Sequence, residues 1–371
     1  MTAITWPHCE GQHNVKRVIE AAIANNSLGH AYLFSGAEGA GKFAAALDLA
    51  LILLCESTKK RPCLTCPSCA KVLHNAHPDF RVVLPVVLGK EHKGDGSELK
   101  EAGWQHIAAC VKERIENPYS MPDHARVPVI PVEWIREMSH AIIRGAASGG
   151  RNVAILDGID LMNKESSNSM LKLLEEPPAG TVLMLLTNRI SAVLPTIVSR
   201  CQIIRFSWLS QGEIREALVR RLAVDADDER LNEVCDTGSL GQSLYLWRHP
   251  PDEARDTAAA FFNLASSDDW MALASFIDEA VQWNDYSRYE QLFTDIAEQA
   301  RIAFLGELQG TDNVFLPVAR RTIRPAGIAS PEQAERLRSL CQKSMDAVKA
   351  RANMTLVLSN FAIALREMFH E

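Results

Sequence analysis

No apolar run in this 371-residue chain approaches the roughly 18 to 20 residues that span a bilayer, so a transmembrane helix is excluded and no membrane partner is expected. The first residues show no basic segment followed by an apolar stretch. No secretory signal is therefore read, and a cytoplasmic location is expected. Positive charge is in short supply: 39 Lys and Arg stand against 46 Asp and Glu, a net charge of −7. That balance argues against a surface that grips a nucleic-acid backbone throughout, although a local basic face survives such an average. The one conspicuous basic cluster, "RRTIR" at 320–324, reads most simply as solvated. Neither an internal repeat nor a low-complexity tract is found.

What is present belongs to a folded protein, with 47% hydrophobic and 23% charged residues. The length exceeds one ordinary core and sets an expectation of two or three domains. Nine cysteines in a reducing compartment point to thiols or metal ligands before disulfides.

The first 207 residues alternate short apolar runs with helical stretches, the pattern of a parallel sheet covered by helices. Strands are predicted at 31–36, 80–86, 152–157, 181–187 and 202–207. Their runs are continuously apolar, as strands buried on both faces require. A helix is expected over 163–176, ended by Pro177-Pro178. Beyond Trp208 the texture turns helical, beginning with Ser210 as an N-cap, and Pro250-Pro251 reads as a linker. A polar loop at 89–98 and a helix from Glu98 to about Glu116 form an insertion spanning about 87–131, to which no role is assigned. The expected class is α/β followed by all-α: a five-stranded α/β domain over 1–207, a small helical module over 208–250, and a helical domain over 251–371.

"GAEGAGKF" places Gly36, Gly41 and Lys42 at the spacing of a phosphate-binding loop between a strand and a helix. Such a turn aims backbone N–H groups at a phosphate beside the positive helix end, and the lysine adds a mobile charge. The next position, where the pattern carries Ser or Thr to hold Mg²⁺, is Phe43. "VAILDGID" supplies a strand and one acid, Asp157, but Gly158 stands where a general base would be, and Asp160 lies too far along. The pocket keeps parts that bind phosphate and lacks two that do chemistry. ATP binding in it is left open, and independent turnover is not expected.

"CESTKKRPCLTCPSC" sets Cys55, Cys63, Cys66 and Cys69 within fifteen residues. Four thiolates with two x₂ gaps suit tetrahedral zinc in a closed, structural site. Buried free thiols, a redox pair and an iron–sulfur cluster are the alternatives. Cys9, Cys110, Cys201, Cys235 and Cys341 are scattered and read as structural.

Together the P-loop, the Cys₄ excursion after its helix, "NSMLKLLEEPP" and "LPTIVSRCQIIRF" resemble the bacterial clamp-loader subunits of the AAA+ class, from the DNA polymerase III holoenzyme. The resemblance covers residues 28 to 207; beyond them it rests on helical texture. It implies an AAA+ domain with a zinc module, a helical lid and a C-terminal oligomerisation collar. Thr187 and Asn188 would lie at the sensor-1 position. Ser199, Arg200 and Cys201 would form a motif that presents Arg200 to a neighbouring subunit's ATP, a task suited to a planar, permanently charged guanidinium. Motor members of the family hydrolyse ATP, and a stator member does not. Phe43, Gly158 and Gly241, the last where motors carry a sensing arginine, all point to the stator type. The implied partners are gamma/tau-type motors and a delta-type subunit, with the sliding clamp and primed DNA reached through the complex. An independent ATPase motor and a zinc DNA-binding module are the competing readings.

Overall fold

The computed structural model describes residues 3–92, 99–121, 128–147, 150–162, 164–248, 253–267, 269–283, 286, 288–290, 292–297 and 331–370. The basic cluster at 320–324 and the Pro250-Pro251 pair lie outside these residues. Backbone packing divides the chain into two compact units, one of residues 1–226 with 238–245, the other of 227–237 with 246–371. No described helix is long and apolar enough to cross a membrane.

The first unit is built on a parallel sheet whose five strands occur where the apolar runs predict them. They are β2 (Ala31–Ser35), β4 (Phe80–Val83), β5 (Asn152–Leu156), β6 (Thr181–Thr187) and β7 (Gln202–Arg205). Their order across the sheet is β4-β5-β6-β2-β7, all parallel. Every residue of β5 and β6 is buried, which explains their unbroken apolarity; β7, at the sheet's edge, buries only Ile204. A two-residue β1 (Ala3–Ile4) pairs in parallel with β3 (Lys60–Arg61), tying the N-terminus to the cysteine excursion.

Helix α1 (His13–Ala24) precedes β2, and α2 (Lys42–Leu54) follows it. Eleven consecutive residues of α2, from Lys42 to Ile52, are buried, so this helix packs on all sides rather than along one stripe. Asp48 on α2 is fully buried, and it accepts from the backbone N–H of Cys9 at 2.8 Å and from His8 Nδ1 at 2.6 Å. A carboxylate so placed is fully partnered, and it pins the chain leading into α1.

Helix α3 (Pro67–Leu73) closes the cysteine excursion. At the ends of the segment read as an insertion, Val86 and Val129 form an antiparallel bridge and exchange N–H···O bonds of 3.0 and 2.9 Å. Inside it, α4 (Glu101–Glu116) buries Gly103, Ile107, Val111 and Ile115, a stripe of period four. Then come α5 (Val132–Ile143), α6 (Lys164–Glu175) and the single turn α7 (Pro195–Val198). Ser210 caps α8 (Gln211–Leu222) as expected, in a reciprocal box: its Oγ accepts from the Glu213 N–H at 3.3 Å, and its own N–H donates to Glu213 Oε2 at 2.8 Å.

The second unit is helical. It includes Glu253–Ser266, Trp270–Ala280, Pro331–Lys349 and Met354–His370, around a core containing Phe261, Tyr289, Phe293 and Phe361. Phe361 lies against both Phe293 and Phe261, with ring centroids 5.0 and 5.8 Å away.

Candidate functional site

The loop between β2 and α2 holds the glycines spaced as in a phosphate-binding loop. Gly39 and Gly41 take φ of +70° and +94°, the left-handed region that glycine enters without penalty. Gly36 is glycine for a different reason: a Cβ there would sit 2.7 Å from Phe206 Cβ and 2.9 Å from its carbonyl oxygen, because the loop leaves the sheet against the end of β7.

The lysine does not reach into open space. Lys42 Nζ donates to the carbonyls of Gly36 at 2.8 Å and Ala37 at 2.6 Å, and to Asn188 Oδ1 at 2.9 Å. Burial pulls its ammonium down to about 8; the Asp157 and Glu38 carboxylates oppose the fall and the Arg114 guanidinium adds to it. All three of its donors are engaged by the protein itself. Thr187, buried beside Asn188 at the end of β6, donates from its hydroxyl to Asp160 Oδ1 at 2.9 Å, and the Asn188 N–H donates to the same oxygen at 3.3 Å. Asp160 thus orders the end of β6 and is not presented as a base.

Asp157, at the end of β5, is paired. Arg114, from the last turn of α4, donates to Asp157 Oδ2 from Nη2 at 2.9 Å and from Nε at 3.3 Å. Its Nη1 donates to the Ser120 carbonyl. Its guanidinium carbon lies 4.6 Å from the centroid of the Phe43 ring, which is itself buried. Tyr119 lies on the same turn after α4, buried, its hydroxyl accepting from the Glu10 N–H at 2.9 Å. That hydroxyl is 2.9 Å from where a Cβ on Gly41 would be.

The two other departures are also built into packing. Gly158 has φ +67°, and a Cβ on it would meet Pro85 Cγ at 2.7 Å, so any side chain there would be strained and would press on the Pro85 ring. Gly241 is the second residue of the helix Leu240–Arg248; its N–H donates to the Gly39 carbonyl at 3.0 Å, and a Cβ would lie 2.6 Å from Gly39 Cα and 3.0 Å from the Tyr119 carbonyl oxygen. The groups expected to hold a Mg²⁺-bound nucleotide have partners within the chain: position 43 is a phenyl ring, Asp157 holds a guanidinium, and Lys42 bonds its own loop.

Cys55, Cys63, Cys66 and Cys69 are brought together, their four sulfurs all within 4.8 Å of one another. A tetrahedron of ~2.3 Å Zn–S bonds needs sulfurs about 3.8 Å apart, so a modest contraction satisfies it. Backbone N–H groups already point at three of the sulfurs: Cys63 N at Cys55 Sγ (3.4 Å), Cys66 N at Cys63 Sγ (3.3 Å) and Cys69 N at Cys66 Sγ (3.4 Å). Such donation favours thiolate. It pulls the half-buried Cys63 down to about 6, chiefly through the N–H groups of Thr65 and Cys66, whereas burial pushes Cys55 and Cys69 up. The donor set fits a structural zinc ion.

Arg200 lies apart from the P-loop. It sits between α7 and β7, with Nη2 on Glu175 Oε1 at 2.8 Å and Nη1 on the Thr196 carbonyl at 2.8 Å and Ser199 Oγ at 3.4 Å. Register puts Gln202 beside Tyr32 and Arg205 beside Ser35, so Arg200 precedes the N-terminal edge of the sheet while the P-loop leaves its C-terminal edge. At ~3.3 Å of rise per residue the separation is roughly 20 Å along the strands. Cys201 beside it is partly buried, which pushes its thiol up to about 11.

Sequence reasoning missed Arg114, Tyr119 and Gln12. The Gln12 side chain donates to the carbonyls of Ala40 at 3.1 Å and Ser207 at 2.7 Å, lacing α1's start to the P-loop. The available signal for Arg114 was its place beside the apolar stripe of an unassigned helix.

A family model described as DNA polymerase III, delta subunit, matches residues 11–210, more than half of the chain. The DNA polymerase III subunit delta' of Bacillus subtilis is 31% identical over 220 residues, 59% of this chain and 55% of that protein. The subunit of the same name from Pseudomonas aeruginosa is 32% identical over 173 residues, 46% of this chain and 41% of its own length. The DNA polymerase III subunit gamma of Buchnera aphidicola is 24% identical over 245 residues, 64% of this chain and 56% of that protein. The chain spans about half the length of the curated relatives it matches.

Proposed function

The chain belongs to the DNA polymerase III delta subunit family, and we propose that it acts there as a delta-prime-like stator of the clamp loader. In that role it assists ATP-dependent loading of the sliding clamp on primed DNA without hydrolysing ATP itself. One observation carries the reading: the polar groups around the P-loop are partnered within the chain, with Lys42 on Gly36, Ala37 and Asn188, and Arg114 on Asp157.

Arg200 then serves a neighbour. Its position at the sheet edge opposite the P-loop supports action in trans, where a guanidinium stabilises charge on the transferring γ-phosphoryl group. In the isolated chain the Arg200 guanidinium pairs with Glu175, and Ser199 and Cys201 complete the motif. The partners are gamma/tau-type motors and a delta-type subunit. The helical residues 251–371 form the oligomerising collar, 208–250 the lid, and 1–207 the AAA+ domain with its zinc module. Structural zinc on the four cysteines braces the excursion after α2.

Reconstitution with motor and delta-type subunits tests this, reading DNA-dependent ATPase and clamp loading. Arg200→Ala is expected to leave assembly intact and to lower ATPase by ~10³ or more at the site it faces. An unchanged rate sinks the trans role.

A further inference from the structure

Helix α4 and the turn after it belong to an insertion that the sheet does not need, since β4 and β5 pair without it. Yet this segment converges on the nucleotide pocket from three directions. Arg114 reaches Asp157, the carboxylate that a P-loop protein uses to hold the water shell of its metal. The Tyr119 hydroxyl covers Gly41, and the Tyr119 carbonyl faces Gly241 across a gap too narrow for a side chain. Ser120 accepts from Arg114 and fixes the guanidinium's orientation.

Phe43 completes the arrangement. A hydroxyl there would bind a metal; the ring instead offers its face to a cation at 4.6 Å, the range in which cation–π attraction operates. The substitution at 43 and the insertion are therefore one device, in which the metal's two former partners, position 43 and Asp157, both contact the same guanidinium.

We propose that the insertion is an internal ligand of the P-loop, with Arg114 standing in for the Mg²⁺ of a nucleotide and acting as the residue that excludes Mg·ATP from this pocket. The pocket keeps its closed backbone by satisfying each binding group within the chain: the carboxylate by Arg114, the lysine by loop carbonyls, and the cradle's mouth by Tyr119. The inference rests on reading this loop as a disabled nucleotide site, but its test uses the chain alone and so fails independently of the trans role of Arg200.

The experiment titrates a fluorescent ATP analogue, with Mg²⁺ and with EDTA, into the unaltered full chain and the variants Phe43→Thr, Arg114→Ala and Phe43→Thr/Arg114→Ala. Circular dichroism melts establish that each is folded, and Arg114→Gln replaces Arg114→Ala if the shorter side chain prevents folding. The unaltered chain and Phe43→Thr should bind weakly with or without Mg²⁺. The double variant should bind at least about tenfold more tightly, and only with Mg²⁺. If Phe43→Thr alone reaches the affinity of the double variant, Arg114 excludes nothing and the proposal fails. A folded double variant with no gain also overturns it. So does a dissociation constant below about 100 µM for Mg·ATP on the unaltered chain, a result readable even if no variant folds.

Discussion

Arg114 and Asp157 are 43 residues apart in the chain and 2.9 Å apart at Nη2 and Oδ2. The pair joins an inserted helix to the strand end where a nucleotide's metal would be organised, and it leaves that carboxylate no free role. From this pair follows a kinetic expectation. The isolated chain, given Mg·ATP and primed DNA, should show no sustained hydrolysis, and Lys42→Ala should change nothing. Turnover that vanishes with Lys42→Ala would restore the motor reading.

Lys42 predicts a pH dependence. Its folded-state value of about 8 lies below its ordinary 10.5, so between those limits the unfolded chain binds more protons. Stability therefore carries the full penalty below pH 8 and rises as pH increases through the window to 10.5. Lys42→Met lacks this titration. Urea unfolding at pH 7.5 and pH 10 should show the unaltered chain gaining on the variant by on the order of 2–3 kcal/mol. A difference that stays flat with pH would mean the ammonium is not desolvated.

The cysteine cluster predicts about one zinc per chain by metal analysis of reduced protein. Cys69, buried at the start of α3, is the most informative position, since Cys69→Ser removes a ligand while keeping size and shape. The variant should lose zinc and melt at a lower temperature, and chelation of the unaltered chain should do the same. Full-length protein that is free of metal and equally stable with and without chelator would remove the structural role.

Gly241 predicts a packing cost. A single methyl group would press 2.6 Å from Gly39 Cα, and backbone cannot yield as a flexible side chain does. Gly241→Ala should cost about 1–3 kcal/mol in denaturant unfolding, against the helix-propensity gain expected at an open position. Gly212, near the start of α8, has nothing within 4 Å of its would-be Cβ and is the matched control. Equal effects at the two sites would refute the close approach.

Much of the first unit was readable along the chain. The five strands fall within their predicted bounds: β5 and β6 are buried and apolar throughout, while the edge strand β7 buries only Ile204 and was marked by its short β-branched run. The helix Lys164–Glu175 stops before Pro177-Pro178 for the reason expected. Ser210 capped α8 because its box is completed three residues away. Gly36, Gly41, Lys42 and the four cysteines were legible as groups for the same reason: their spacing is local. Asp157, Thr187 and Asn188 came from the ends of β5 and β6, neighbours in the sheet. The insertion resisted reading, because Ile107, Val111 and Ile115 announce a buried face without naming what buries it.

The chain order alone determined the sheet, the loop glycines, the phenyl ring at position 43 and the cluster of sulfurs, all of them properties of residues that are near one another in sequence or repeated at a fixed period. Only the folded structure decided that Arg114 meets both Phe43 and Asp157, that Tyr119 covers Gly41, and that Arg200 stands at the sheet edge away from the pocket. Those contacts join segments separated by tens of residues, and no local pattern encodes them. They exist because closing a long loop has a small entropic cost per added residue, which the burial of α4's apolar stripe offsets.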